Sequence, residues 1–307
     1  MKSICIIGAI NMDITLKVGK MPQDGETTIA LGSSKAFGGK GSNAAIATKR
    51  MDINTRYYGC VGDDAFGHEL IDNLNKTGID ISNMSVKEGI STGTAYIILD
   101  SEGNNRIISA PGGNQSITRK DIRDNCYNLI KNSDIVLIQL EISREGVLEI
   151  IELCKELDKT LVLDAGPGKG WEPENFKGVD YVSPNETELS DITGLDTSSK
   201  ENVIKAAAQL LKNGAKNVIV KLGKKGSLFI NQDIVLEQPS YNVKTVDSTG
   251  AGDSYMSGFC KGLIEGLDIS ECMELGSKCG AIAVTREGAS PSMPSLKDLE
   301  DFSKLLV

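Results

Sequence analysis

Asp247-Ser248-Thr249-Gly250-Ala251-Gly252-Asp253 stands between a β-favouring run, Tyr241-Asn242-Val243-Lys244-Thr245-Val246, and a helical pattern over Ser254 to Gly266. Strand, glycine-rich turn and helix in that order is one beat of an α/β fold. Small residues at the junction let backbone N–H groups converge where a helix begins, and the helix dipole makes the spot attractive to a phosphate. Asp253 follows at once, where a carboxylate would take the proton of a hydroxyl attacking a phosphoryl group. Read in isolation, the string is equally a tight turn with an aspartate capping a helix.

The same beat recurs outward from this stretch. Apolar runs bounded by glycine, proline or acidic residues, at Ile4 to Ile10, Ile135 to Leu140, Thr160 to Leu163, Tyr181 to Ser183 and Asn217 to Leu222, suit strands buried on both faces of a parallel sheet. Between them lie amphipathic segments, Asp64 to Thr77, Arg119 to Asn132, Arg144 to Leu157 and Lys200 to Asn213, that predict covering helices. Two excursions, Asp13 to Lys35 and Thr94 to Ala110, carry β-favouring runs joined by turn formers, with Ser101-Glu102-Gly103-Asn104-Asn105 as a hairpin turn. Such excursions build either a small sheet serving as a lid or an edge extension of the main sheet. No repeat, low-complexity tract or linker interrupts the chain. The expected division is a large body of residues 1–12, 36–93 and 111–307 and a discontinuous small unit of residues 13–35 and 94–110.

Composition excludes more than it selects. The 307 residues, 40% hydrophobic and 24% charged, are ordinary globular material. The 42 acidic against 33 basic residues, net charge -9, oppose binding to nucleic acid. No stretch is apolar enough to span a membrane, and the N-terminal run is too short for a secretory core. The seven cysteines form no CxxC pair and read as reduced, buried thiols in a cytoplasm. His68 is the only histidine, so a multi-histidine metal cage is excluded, and it reads as a helix-surface residue.

A second glycine-rich run, Gly38-Gly39-Lys40-Gly41-Ser42-Asn43, opens a helical stretch over Ala44 to Arg50. It is not a Walker A loop, since Lys40 is followed by Gly41, and Gly8-Ala9-Ile10 does not continue into a dinucleotide fingerprint. With Gly8-Ala9-Ile10-Asn11-Met12-Asp13, Gly59-Cys60-Val61-Gly62-Asp63-Asp64, Gln139-Leu140-Glu141, Pro184-Asn185-Glu186-Thr187-Glu188, Asp247 to Asp253, and Ala281 to Ala289, the chain resembles the PfkB family of carbohydrate kinases over nearly its whole length, and within it the ribokinase-like members.

That resemblance implies a three-layer α/β sandwich, with a mostly parallel central sheet flanked by helices and a small β-sheet lid. It implies ATP-dependent phosphorylation of the 5-hydroxyl of D-ribose, with Asp253 as base and Gly250, Ala251 and Gly252 as anion hole. By position it gives the sugar to Asn11, Asp13, Gly39, Lys40, Gly41, Asn43, Glu141 and Asp253, residue types that grip vicinal hydroxyls. It gives the nucleotide to Asn185, Lys221, Gly223, Gly226, Gly252 and Ser277, although Lys221 stands where the family usually has a hydroxyl residue. Glu188 is implied for Mg²⁺, directly or through water, and Pro184 to Glu188 also reads as a helix start with acidic residues suited to its dipole, the two being compatible. K⁺ is implied at Asp247, Thr249, Ala283, Arg286, Gly288 and Ser292, partly through backbone carbonyls, and a homodimer through the lid. Fructose, deoxyribose or a nucleoside as acceptor, or a catalytically silent sugar-binding protein, are the competing readings.

Overall fold

The computed structural model describes residues 2–102 and 104–307. Gly103, in the expected hairpin turn, lies outside them. In chain order the strands are β1 (Ser3–Ile7), β2 (Asn11–Lys17), β3 (Gly32–Gly38), β4 (Asn54–Tyr58), β5 (Cys60–Gly62), β6 (Ser85–Lys87), β7 (Thr94–Leu99), β8 (Asn105–Ala110), β9 (Ile135–Gln139), β10 (Thr160–Asp164), β11 (Tyr181–Ser183), β12 (Asn217–Lys221), β13 (Ser227–Ile230) and β14 (Val235–Gln238). The principal helices are α1 (Lys40–Arg50), α2 (Ala65–Asn75), α3 (Arg119–Lys131), α4 (Arg144–Glu156), α5 (Glu186–Thr193), α6 (Lys200–Lys212), α7 (Ala251–Glu265) and α8 (Ile269–Ala283).

An eight-stranded sheet runs β14-β13-β12-β11-β10-β9-β1-β4. From β4 to β12 neighbouring strands are parallel, whereas β13 and β14 are antiparallel. Successive residues of β1 feed opposite cores: Cys5 and Ile7 pack with the side chains of α3, α4, α5 and α6, while Ile4 and Ile6 pack with those of α1, α2, α7 and α8. A strand covered on both faces has no use for polar alternation, which is why β1 and β9 are continuous apolar runs. The chain leaves β1 for β4 on one side and comes back to β9 on the other. Connections therefore diverge at the C-terminal ends of β1 and β9, where open α/β sheets hold ligands.

The excursions form a separate four-stranded sheet, β3-β2-β7-β8, and not an extension of the main one. β2 follows β1 after only Gly8-Ala9-Ile10, so this sheet is anchored at the C-terminal edge of the main sheet. All six residues of β8 are exposed, with Ile107 and Ile108 at 60% and 61%. Separately, β5 and β6 pair in a two-stranded parallel ribbon.

Tyr241 to Val246, expected as a strand, is not one. It makes an isolated antiparallel bridge at Val243 with Leu306, and Val246 N–H donates to Val284 O at 2.7 Å. β-favouring residues become a strand only beside an available edge, and this segment runs along the end of α8. Conversely, α1 begins at Lys40, earlier than the expected Ala44. All seven cysteines are free and buried, and His68 is exposed on α2. Among the described residues no helix is long and apolar enough to cross a membrane.

Candidate active site

Gly250 is the N-cap of α7 in the left-handed conformation, φ 77. A Cβ there would lie 2.6 Å from Met293 Cε, so conformation and space both demand glycine. No side chain caps α7, which leaves its first-turn N–H groups to an outside acceptor. Asp253, 5% exposed, projects from that turn and accepts a hydrogen bond from Asn43 Nδ2 at 2.8 Å. Lys40 Nζ stands 3.6 Å from its other oxygen.

Lys40 and Asn43 come from the first turn of α1, whose N-cap Gly39 has φ 95 and whose Cβ would sit 2.6 Å from Ala9 O. Gly41 is buried against the backbone of Gly8, where the close approach gives it a packing role. Lys40 N–H donates to Glu141 Oε2 at 3.2 Å. Three carboxyl groups, Asp13, Glu141 and Asp253, act on one another across this space. Burial first, then Glu141 and Asp253, push Asp13 up to about 7. Burial also raises Glu141, with Lys40 opposing. For Lys40 burial disfavours the charge, but Asp253, Asp164, Glu141 and Glu188 outweigh it and hold the ammonium protonated well above the usual range. Crowded acceptors of this kind are relieved by a ligand rich in hydroxyl donors.

Asn11 opens β2, and its Oδ1 accepts from Asn114 Nδ2 at 2.8 Å. Asn114, 1% exposed, is fixed in turn by Ile10, whose N–H donates to its Oδ1 at 3.0 Å.

At the end of β11, Asn185 Oδ1 accepts from Glu188 N–H at 2.8 Å and Glu188 Oε2 accepts from Asn185 N–H at 2.7 Å. This reciprocal cap starts α5, as a helix start at Pro184 to Glu188 leads one to expect, and it uses only one of the two Glu188 carboxylate oxygens. Glu188 Oε1 lies against Gly166, whose Cβ would also come within 3.3 Å of Lys40 Cε; the second oxygen therefore faces the same crevice. Lys221 N–H donates to Pro184 O at 2.9 Å, and its ammonium pairs with Asp164 Oδ1. Gly223 and Gly226 shape the turn between β12 and β13 with positive φ of 56 and 96. Ser277 is buried in α8 with its hydroxyl donating to Pro239 O at 3.2 Å.

Behind the glycine turn, Asp247 Oδ1 accepts from Thr249 N–H at 2.9 Å and from its hydroxyl at 2.7 Å, and Oδ2 accepts from Gly288 N–H at 2.9 Å. Burial opposes ionisation, yet these donors hold Asp247 below the usual carboxylate range. The carboxylate thus ties the turn to the segment after Ala283. There Arg286 pairs with Asp298, and Ser292 donates to Ala289 O at 2.7 Å.

Sequence reasoning gave no site role to Asp164, Ser183 and Asn114, nor to Gln139, which it quoted only as part of a motif. Among the described residues, Asn43 Oδ1, Gln139 Oε1, Asp164 Oδ2 and Ser183 Oγ are buried with no hydrogen-bond partner in the protein. Gln139, Asp164 and Ser183 end the adjacent strands β9, β10 and β11, in register across the sheet. A polar residue closing an apolar strand was the available signal.

The pfkB family carbohydrate kinase model matches residues 1–296. A ribokinase of Bacillus subtilis (strain 168) is 32% identical over 302 residues, 98% of this chain and 99% of its own length. A deoxyribokinase of Salmonella typhi is 29% identical over 303 residues, 98% and 99% of the two chains. The solved Arabidopsis thaliana ribokinase complexed with ribose and ATP superposes with a TM-score of 0.93 at 32% identity, over 99% of each chain. The fold is therefore the ribokinase-like α/β sandwich, its small sheet included.

Proposed function

Since the chain belongs to the pfkB family of carbohydrate kinases, and so is a phosphotransferase acting on a sugar hydroxyl, we propose that it transfers the γ-phosphoryl group of ATP to the 5-hydroxyl of D-ribose. The observation that carries this reading is Asp253, buried in the uncapped first turn of α7 and hydrogen-bonded by Asn43 from the uncapped first turn of α1.

In this reading Asn11, Asp13, Gly39, Lys40, Gly41, Asn43 and Glu141 hold the sugar, and the close approach of Gly41 to Gly8 also keeps α1 near β1. Asp253 takes the proton of the 5-hydroxyl as its oxygen attacks phosphorus in line. The oxygen–phosphorus bond to ADP breaks, and the N–H groups of Gly250, Ala251 and Gly252 stabilise the developing charge. Asn185, Lys221, Gly223, Gly226 and Ser277 border the nucleotide.

Glu188 would hold Mg²⁺, directly or through water. Its Oε1 is outside the helix cap, and no group of three His, Cys, Asp or Glu residues suited to a metal lies among the described residues, so phosphate oxygens and water would supply the other ligands. When bound, the ion neutralises phosphate charge. In this reading Asp247 and the backbone at Thr249, Ala283, Arg286, Gly288 and Ser292 would hold K⁺, a large cation suited to oxygen ligands. The small sheet serves as a lid, and its exposed Ile107 and Ile108 suit pairing with a second copy. Free thiols at all cysteines fit a reducing cytoplasm.

ADP release with ATP, Mg²⁺ and K⁺, measured across ribose, deoxyribose, fructose and nucleosides, should give the highest kcat/KM for ribose. A higher value for another acceptor overturns the ribose assignment; release with none of them overturns the kinase reading. Deoxyribose is the second reading because a deoxyribokinase stands among the relatives.

A further inference from the structure

Asp164 ends β10 at 1% exposure and is flanked by two ammonium groups. Lys221, from the end of β12, pairs with its Oδ1, and Lys40, from the start of α1, stands 3.6 Å from its Oδ2. Lys40 stands equally far, 3.6 Å, from Asp253 Oδ1. A line of alternating charge, Lys221, Asp164, Lys40, Asp253, therefore crosses the C-terminal edge of the sheet from β12 to the first turn of α7. At its outer end, Lys221 Nζ is 3.7 Å from where a Cβ of Gly252 would be, and apart from the adjoining residues and backbone of α7 no other atom of the described residues lies within 4 Å of that point. The ammonium stands at the mouth of the α7 N-terminus, at a position where the resemblance led us to expect a hydroxyl.

We propose that Asp164 is a positioning residue that sets two ammonium groups on opposite sides of the phosphoryl-transfer path, with Lys221 contacting nucleotide phosphate beside Gly252 and Lys40 facing the sugar and Asp253. The proposal rests on the phosphoryl-transfer reading above. Half-buried ammonium groups such as these, Lys40 at 27% and Lys221 at 13% exposure, are held in place by a fixed counter-charge before substrate arrives. Asp164 supplies it: burial opposes its ionisation, but Lys221 and Lys40 hold its carboxyl below the usual range. An incoming phosphate is a stronger acceptor array for Lys221 than one carboxylate oxygen, and the backbone of Lys221 is held meanwhile by Pro184 O. The site then meets phosphate with a full positive charge in addition to backbone dipoles, and Asp164 retains Lys40 as its partner.

Lys221→Thr, Lys221→Arg and Asp164→Asn separate this from a merely structural ion pair. For Lys221→Thr we expect KM for ATP, and the dissociation constant of ADP measured by calorimetry, to rise about tenfold or more, as loss of a charge-assisted hydrogen bond implies. KM for the sugar should stay within about twofold. Lys221→Arg should recover most of the ADP affinity, which a pair that serves only folding would not require. Asp164→Asn should raise KM for both substrates; if it fails to fold, the Lys221 variants decide alone. Unchanged ADP affinity in folded Lys221→Thr overturns the proposal. If the wild-type protein releases no ADP with any sugar, the kinase reading fails, while ADP calorimetry on the same variants still decides whether Lys221 contacts phosphate.

Discussion

Asn43 and Asp253, 210 residues apart, meet through a hydrogen bond of 2.8 Å from the Asn43 amide to the Asp253 carboxylate. The bond joins the first turns of α1 and α7, each entered through a glycine with positive φ, Gly39 and Gly250. A side chain expected to grip the sugar thus orients the carboxylate expected to take its proton.

Asp253→Asn keeps the shape and removes the base. The expected loss in kcat is about 10²- to 10⁴-fold, the usual contribution of a general base, with ribose binding still measurable by calorimetry. Turnover close to wild type would contradict the assignment.

Gly250→Ala should destabilise the fold by roughly 1–3 kcal/mol, because alanine is strained in the left-handed conformation and its methyl meets Met293. Denaturant unfolding measures this. Adding Met293→Ala at the same time should relieve the crowding but not the backbone strain, so the double variant should not reach the stability of Met293→Ala alone.

The raised Asp13 carboxyl ties sugar binding and stability to pH. Folding lifts it from 3.8 to about 7, with burial the main cause, so the folded protein binds this proton more tightly than the unfolded chain. Its contribution to stability is fully present below about pH 4 and is lost as pH rises to about 7. Asp13→Asn should therefore gain melting temperature relative to wild type at pH 8 and lose that advantage near pH 4. If the ionised carboxylate accepts the sugar hydroxyl, wild-type KM for ribose rises as pH falls below about 7, and Asp13→Asn flattens that dependence. A pH-independent wild-type KM would dismiss a sugar-facing Asp13 that titrates at about 7.

Activity should fall when K⁺ is replaced by a large organic cation at equal ionic strength, and Asp247→Ala, which unties Gly288 from the glycine turn, should abolish the difference. Identical rates in the two salts would dismiss the cation site.

Much of the helical framework was legible because its signals are local. Arg119 to Asn132 was expected and Arg119–Lys131 is found, with Thr118 and Asp121 forming the capping box that starts it. Tyr241 to Val246 misled because a strand needs a neighbouring edge, which its composition does not reveal. Gly41 read as a substrate contact, and only the fold adds that a Cβ there would lie 2.6 Å from the Gly8 carbonyl carbon, so the position also carries a packing requirement. Asn114 and Asp164 stayed invisible, each an ordinary polar residue in sequence.

By itself the sequence determined most of the buried strands and covering helices, the two glycine-rich helix entries, and which family this chain joins, because propensity, capping and motif spacing act over a few residues. Tertiary structure alone decided that Asn43 reaches Asp253, that Asp164 lies between Lys40 and Lys221, and that the excursions make a separate sheet. Those outcomes depend on strand order and helix packing, which bring together residues up to 210 positions apart, and no local rule of chain conformation carries that information.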